Sequence, residues 1–213
     1  ITTYNSSTAQ FIRENEELID KYEDRLGTYL VRLSNNELSE NMSHAIARML
    51  HSIGDFERIG DHALNICKVA EEMHNKNIHF SEEARKEISV ITSAVTEILN
   101  MAVDSFIDDD AETASHVEPL EQVIDKLNKE LKARHVARLQ NGECTIELGF
   151  VFTDLLTNYE RVSDHCSNIA VYTVQLTSDK LDAHKYLAKI KNSQGGAFVR
   201  DYGMYEEKYQ LAD

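Results

Sequence analysis

Apolar residues recur at three- and four-residue spacing along most of the chain, in long stretches of Ala, Leu, Glu and Lys with few turn signals between them. The pattern predicts an all-α protein. Five long helices are expected at Thr8–Arg32, Ser39–Asn75, Glu82–Ile107, Glu112–Leu139 and Thr145–Gln175, with a shorter one at Asp182–Lys191. The stretch "SNNELSE" joins the first two, and Ser81 with the acids just after it starts the third. The Asp108–Asp110 run and the Asn141-Gly142 turn separate the rest. Pro119 should kink or delay the fourth helix, because it has no N–H and its ring crowds the preceding turn. After the breaker "NSQGG", an aromatic tail, "FVRDYGMYEEKYQL", closes the chain.

These helices form two sets. "DFERIGDHALNI" at Asp55–Ile66 returns 103 residues later as "NYERVSDHCSNI" at Asn158–Ile169. "ENEELIDKYEDRLGTYLVRL" at Glu14–Leu33 resembles "EPLEQVIDKLNKELKARHVARL" at Glu118–Leu139 at a lag of 105 to 106. Two pseudo-repeated helical bundles are therefore predicted, over 1–78 and 79–178, with a C-terminal helical tail over 179–213. The lag sets Ile1 opposite Phe106, at the end of the helix that opens the second repeat. The first bundle is thus expected to lack its own first helix. The groove left there should be filled by the C-terminal segment or by a second copy of the chain, so a homodimer is expected. A start at Ile1 without Met also suggests a piece of a longer protein.

Charge narrows the partners. With 22 basic and 37 acidic residues the 213-residue chain carries a net −15, which repels nucleic-acid phosphates and anionic lipid alike. No nucleic acid is expected as a ligand. There is no run of 18 or more apolar residues and no signal peptide, so direct membrane insertion is not expected either. Cys67, Cys144 and Cys166 form no C-x-x-C pair and are odd in number, which points to a reducing, cytoplasmic setting.

Much of the negative charge is patterned. Each matching helix carries a Glu followed four residues later by an Asp: Glu16/Asp20, Glu57/Asp61, Glu121/Asp125 and Glu160/Asp164. At this spacing both carboxylates lie on one helix face. The residue four before each Glu is apolar, namely Ile12, Ile53, Val117 and Leu156, so the acids belong to inward faces. Glu57, Glu121 and Glu160 have no Lys or Arg three or four positions away. Stacked, partly buried carboxylates need a proton or a cation. Two clusters of four are therefore expected to hold multivalent metal, in a hard oxygen set suited to iron, manganese or magnesium and possible for zinc. Interhelical polar pairing is the competing reading. Without the eight acids the net charge would be −7 instead of −15.

Asn65 and Asn168 continue the stripe as ligands or as donors behind the ligands, and Arg58 and Arg161 could clamp neighbouring carboxylates or orient them. His62 and His165 fall about 100° around the helix from their Asp and are read as packing or hydrogen-bonding residues. No catalytic triad or Gly-rich phosphate loop is legible, and Glu-x-x-x-Asp replaces the Glu-x-x-His of di-iron bundle enzymes. No enzymatic activity is expected.

At these residues the sequence resembles the PhoU family over about Thr8–Gln175, with the two twelve-residue stretches standing in the family's signature helices. The resemblance implies repeated three-helix bundles whose acidic motifs bind multinuclear iron or zinc clusters. A finer resemblance, through "RHVARLQNGECTIELGFVFTDLLTNYERVSDH" and the aromatic tail, is to the PhoU-like cytoplasmic domain of bacterial sodium/phosphate cotransporters. That implies a regulatory domain on the cytoplasmic side of the inner membrane, partnered by the membrane domain of a parent sodium:phosphate symporter. The alternative is a free-standing PhoU-type adaptor that regulates phosphate uptake and phosphate signalling; a carboxylate-bridged metalloenzyme ranks below both.

Overall fold

Polar caps start the helices. The computed structural model describes residues 4–177 and 196–212. Asn5 accepts hydrogen bonds from the Ser7 and Thr8 amides at 2.9 and 3.2 Å and opens α1 (Ser6–Ser34). Ser39 opens α2 (Glu40–Lys76), which ends at Asn77 in the left-handed conformation with φ 51°. Ser81 accepts from the Ala84 amide and opens α3 (Glu82–Ile107). Each cap satisfies amides that the first helical turn leaves without partners. The remaining helices are α4 (Ala111–Ser115), α5 (Val117–Gln140), α6 (Ile146–Thr177) and α7 (Gly196–Lys208). The helix expected at Asp182–Lys191 lies outside the described residues. Among the described residues there is no strand, and the protein is all-α.

The expected single helix Glu112–Leu139 is two helices. α4 stops at Ser115, His116 intervenes, and Pro119 occupies the first turn of α5. Proline's ring crowds the carbonyl four residues back, which here is that of Ser115, so the ladder breaks between the two and resumes where the missing N–H is harmless.

α2 and α6, the helices that carry the twelve-residue repeat, pack against each other. α1 packs on α2, whereas α3, α4 and α5 pack on α6. Among the described residues the first bundle thus consists of α1 and α2, where the second has three long helices, α3, α5 and α6. The consequence is visible residue by residue. Leu18, Tyr22 and Leu26 of α1 are 47%, 56% and 44% exposed, whereas their repeat counterparts Val123, Leu127 and Leu131 of α5 are 2%, 5% and 0% exposed. Burying a side chain of this size contributes about 1.5–3 kcal/mol, so most hydrophobic stabilisation resides in the second bundle. Its centre is Ile91, Ile98, Leu120, Ile124, Phe152, Leu155, Leu156 and Ile169, all fully buried. α3 is long and apolar enough to cross a membrane by length and composition. Here it is a core helix, with Ile91, Ala94, Ile98 and Ala102 fully enclosed.

The described part of the C-terminal segment, residues 196–212, does not fill the groove of the first bundle. α7 packs on α5 instead. Tyr205, Tyr209 and Leu211 join the core that contains Val123 and Leu127, and His116 Nδ1 donates to Asp201 Oδ2 at 2.8 Å. The buried Asp201 carboxylate thus sits at the start of α5, where its charge complements the helix dipole. Lys208 and Tyr209 both bond Glu97 of α3, which fixes the far end. Among the described residues, Leu18, Tyr22 and Leu26 of α1 stay exposed.

Candidate metal centre

Register on two helices builds the site in the second bundle. Glu121 and Asp125 lie one turn apart on α5, and Asp164 comes from the facing α6; one carboxylate oxygen from each lies within 4.8 Å of the others. Among the described residues this is the only set of three potential metal-binding side chains that converges so closely. Glu121 is buried and the two Asp are half-buried. The Asp164 carboxyl is pushed above the ordinary range, first by burial and then by the negative charges of Asp125 and Glu160, against a lowering effect of Arg161.

Glu160, the fourth expected member, is held differently. Its Oε2 accepts from Asn128 Nδ2 at 2.9 Å and from Lys132 Nζ at 3.0 Å. Both donors come from α5, so a search for basic residues three or four positions from Glu160 on its own helix does not find them. Asn128 is fully buried, and its Oδ1 has no hydrogen-bond partner.

In the first bundle Glu16 and Asp20 of α1 face Glu57 and Asp61 of α2 across their joint. Burial raises the Glu16 carboxyl, and the charges of Asp20 and Asp61 add to it. Burial likewise raises Glu57, followed by Asp61, with smaller contributions from Asp20 and Glu23 and an opposing one from Arg58. Four acids on two helices thus repel one another in each bundle, and in the second bundle three converge as metal ligands would. Carboxylate oxygens in this arrangement fit a hard or borderline cation, and the orphaned buried oxygen of Asn128 offers a further neutral donor beside them.

The neighbouring residues are disposed as follows. Arg58 Nε lies 3.4 Å from Glu57 and its Nη1 3.6 Å from Asp61, while Arg161 Nη1 lies 3.2 Å from Asp164, so each Arg serves acids of its own helix. Asn65 accepts from Lys68 at 3.3 Å, whereas Asn168 Nδ2 donates across to Asp55 of α2 at 3.1 Å. The two histidines join the bundles. His165 Nδ1 donates to Asp55 Oδ1 at 2.7 Å, His62 Nδ1 donates to Asn158 Oδ1 at 2.9 Å, and the rings stack with centroids 5.8 Å apart. Sequence reasoning missed Asp55 and Asn158. Their signal was available: they are repeat counterparts, each seven residues before a repeated His and so on the same helix face.

The raised carboxyls give the metal-free protein a pH dependence of definite sign. A carboxyl with a raised folded pKa binds its proton more tightly when folded. Its stabilising contribution is present below the unfolded pKa and is lost as pH rises through the folded one. In the presence of chelator, the contribution of these three groups should therefore fall as pH is raised from about 4, the ordinary carboxylate range, toward neutrality, while the lowered Glu82 and Asp110 carboxyls act the other way. Thermal melts of the wild type and Asp164→Asn across that range check this: the melting temperature of the variant should gain on that of the wild type as pH rises. A difference that shrinks over the same interval in chelator would contradict the repulsion described.

Three comparisons with known proteins complete the picture. The family model described as the PhoU domain matches residues 1–70 and 88–173. The chain belongs to the PhoU family. It is 24% identical over 199 residues to a "Phosphate-specific transport system accessory protein PhoU homolog 1" of Thermotoga maritima, covering 92% of this chain and 84% of that one. It is 26% identical over 188 residues to a PhoU homolog of Pseudomonas aeruginosa, covering 88% and 77%. A crystal structure of PhoU from Pseudomonas aeruginosa superposes with a TM-score of 0.77 at 25% identity, covering 83% of this chain and 84% of that one. The phosphate transport system regulatory protein PhoU from Streptococcus pneumoniae shares the fold, with a TM-score of 0.69 at 19% identity and coverage of 83% and 82%.

These relatives correct one expectation. They are accessory and regulatory PhoU proteins matched over most of their own length, and not domains of a sodium/phosphate cotransporter. The cotransporter reading rests on one stretch, "RHVARLQNGECTIELGFVFTDLLTNYERVSDH", and the aromatic tail. The PhoU match spans both repeats, and it agrees with the adaptor reading.

Proposed function

We propose that this PhoU-family chain is a metal-binding adaptor that regulates phosphate uptake by acting on a separate phosphate transporter at the cytoplasmic face of the bacterial inner membrane. It acts without catalysing a reaction of its own. The observation that carries the metal half is the convergence of Glu121, Asp125 and Asp164 within 4.8 Å. The phosphate half is supported by relatives named as accessory proteins of phosphate-specific transport systems. Iron or zinc is the proposed metal, with manganese or magnesium as the other hard-donor options.

Bound metal would neutralise the facing carboxylates and so tie α5 to α6 and α1 to α2. Because α2 and α6 meet through His62–Asn158 and His165–Asp55, order imposed in either bundle reaches their junction. The presentation of the surface to a transporter would then depend on metal occupancy.

The test is phosphate uptake in a bacterial host deleted for its own PhoU-family gene, with and without this chain. The chain should restore the host's response of uptake to external phosphate, and Asp125→Asn/Asp164→Asn should fail to do so while accumulating to the same level. Equal restoration by the variant would separate regulation from metal; no restoration by any form, with the chain folded and expressed, would count against the phosphate assignment.

A further inference from the structure

The two bundles differ most just beyond their matching acids. At the lag that sets Glu16 on Glu121 and Asp20 on Asp125, α5 carries Asn128, Lys129 and Lys132 where α1 carries Glu23, Asp24 and Gly27. Over these five residues, with Arg25 of α1 standing opposite Glu130 of α5, the local charge changes by two units, from −1 in α1 to +1 in α5. The difference reaches the acids themselves. In the second bundle Lys132 Nζ sits 3.0 Å from Glu160, with the two side chains 39% and 36% exposed, and Asn128 holds the same oxygen from the other side. In the first bundle Glu57, the counterpart of Glu160, has an ion pair with Arg58 of its own helix. That contact does not distinguish the sites, because Arg161 does the same for Asp164. Among the described residues no lysine forms an ion pair with the first bundle's acids, although Lys68 of α2 lies close enough for its charge to oppose the rise of the Glu16 carboxyl. A Cβ added at Gly27, the counterpart of Lys132, would meet no atom within 4 Å. Instead Glu23, half-buried and on the same α1 face as Glu16, lies close enough for its charge to raise the Glu57 carboxyl.

We propose that the bundles are unequal metal sites: Lys132 is a resident cation of the second, held on Glu160 and competing with metal for it, whereas the first bundle has Glu23 as a fifth carboxylate and, among the described residues, no lysine ion-paired to its acids. This rests on the metal reading above. An ammonium removes one unit of attraction for an incoming cation and occupies a carboxylate oxygen that would otherwise coordinate it. An added carboxylate does the reverse. The first bundle therefore fills first and retains metal longer, and the second responds to metal concentration over a higher range. Asn128 fits this division. It is fully buried and its amide nitrogen donates to the same Glu160 oxygen as Lys132, so the two together hold that carboxylate away from an incoming metal.

The experiment is calorimetric titration of the metal-stripped chain with Mn2+, an ion that prefers oxygen ligands, with bound ion counted by electron paramagnetic resonance. Wild type should show two classes of site. Lys132→Met, which keeps the apolar stem and removes the charge, should tighten the weaker class on the order of tenfold and leave the stronger one unchanged; the magnitude is that of one partly screened charge at a few ångströms. Gly27→Lys and Glu23→Gln should each weaken the stronger class by a similar factor. Both act at positions with side-chain freedom, and matching melting curves in chelator would establish that they fold. Isotherms of all three variants superimposing on wild type would overturn the inequality while leaving metal binding intact. Absence of Mn2+ binding in wild type would remove the metal reading itself, and this inference with it.

Discussion

Glu87→Ala will destabilise the protein by about 3–5 kcal/mol, as expected when one partner of a buried ion pair is removed and the other is stranded. Glu87 of α3 receives both Arg138 Nη1 and Nη2 of α5, at 3.0 and 2.8 Å, and both side chains are more than nine-tenths buried. Around the pair the packing is aromatic. Arg138 lies over the Phe152 ring at 5.8 Å, and His135 stacks on the same ring at 4.7 Å. Burial and the Arg138 charge both push the His135 imidazole below its usual pKa, and a histidine can add only positive charge, so it offers no counter-charge to the guanidinium that loss of Glu87 would strand. Against a total stability of about 5–15 kcal/mol, the loss removes a large share of what holds α3 on α5. Urea unfolding measures it. A Glu87→Gln/Arg138→Met double variant should lose less than Glu87→Ala, because no buried charge is then left alone. A Glu87→Ala protein within about 1 kcal/mol of wild type would mean that water reaches the pair.

Metal should stabilise the folded chain by a comparable amount. At free metal about 1,000 times the dissociation constant, one site adds about 4 kcal/mol, which for a protein of this size raises the melting temperature by roughly 10 °C. The gain arises because the stripped protein holds Glu16, Glu57 and Asp164 partly desolvated and beside other carboxylates, and burial first, then repulsion, raises their pKa values. Binding replaces that repulsion with attraction. Differential scanning calorimetry with and without chelator reads the shift directly. Asp125→Asn/Asp164→Asn should diminish it by removing two of the three convergent ligands, while raising the stability of the chelator-treated form because the repulsion is relieved.

How much of this was legible in the sequence follows from which forces act along one helix and which act between helices. The helix pattern, the repeat and the inward faces of Glu57, Glu121 and Glu160 depend on spacing within a helix, and spacing is written in the chain. The break at His116 was half legible: Pro119 announced a disturbance, but not that the ladder would part at Ser115. Contacts between helices were hidden. Lys132 reaches Glu160 across 28 residues of sequence, and Asp55 reaches His165 across 110, so neither partner stands near its acid or base in the chain. The destination of the tail was also hidden. An apolar groove predicted in one bundle and an aromatic helix predicted at the C-terminus made a plausible match, but Asp201 and Tyr205 fit α5, where His116 and Val123 meet them. The repeat does state where comparison is informative. Once α1 and α5 are set in register, bare Leu18 against buried Val123, and Gly27 against Lys132, are differences that neither sequence segment shows alone.

The central claim is that the paired acids of the repeated helices are metal ligands. Its most direct test is the metal content of the full chain, purified without chelator or nickel and measured by mass spectrometry beside an Asp61→Asn/Asp164→Asn variant that alters one acid in each bundle. The account predicts at least one equivalent of a transition metal per bundle in the wild type and its loss in the variant, with the helical signal of the two proteins unchanged. Metal absent from both, or equally present in both, would contradict it and leave the acids as polar contacts between helices.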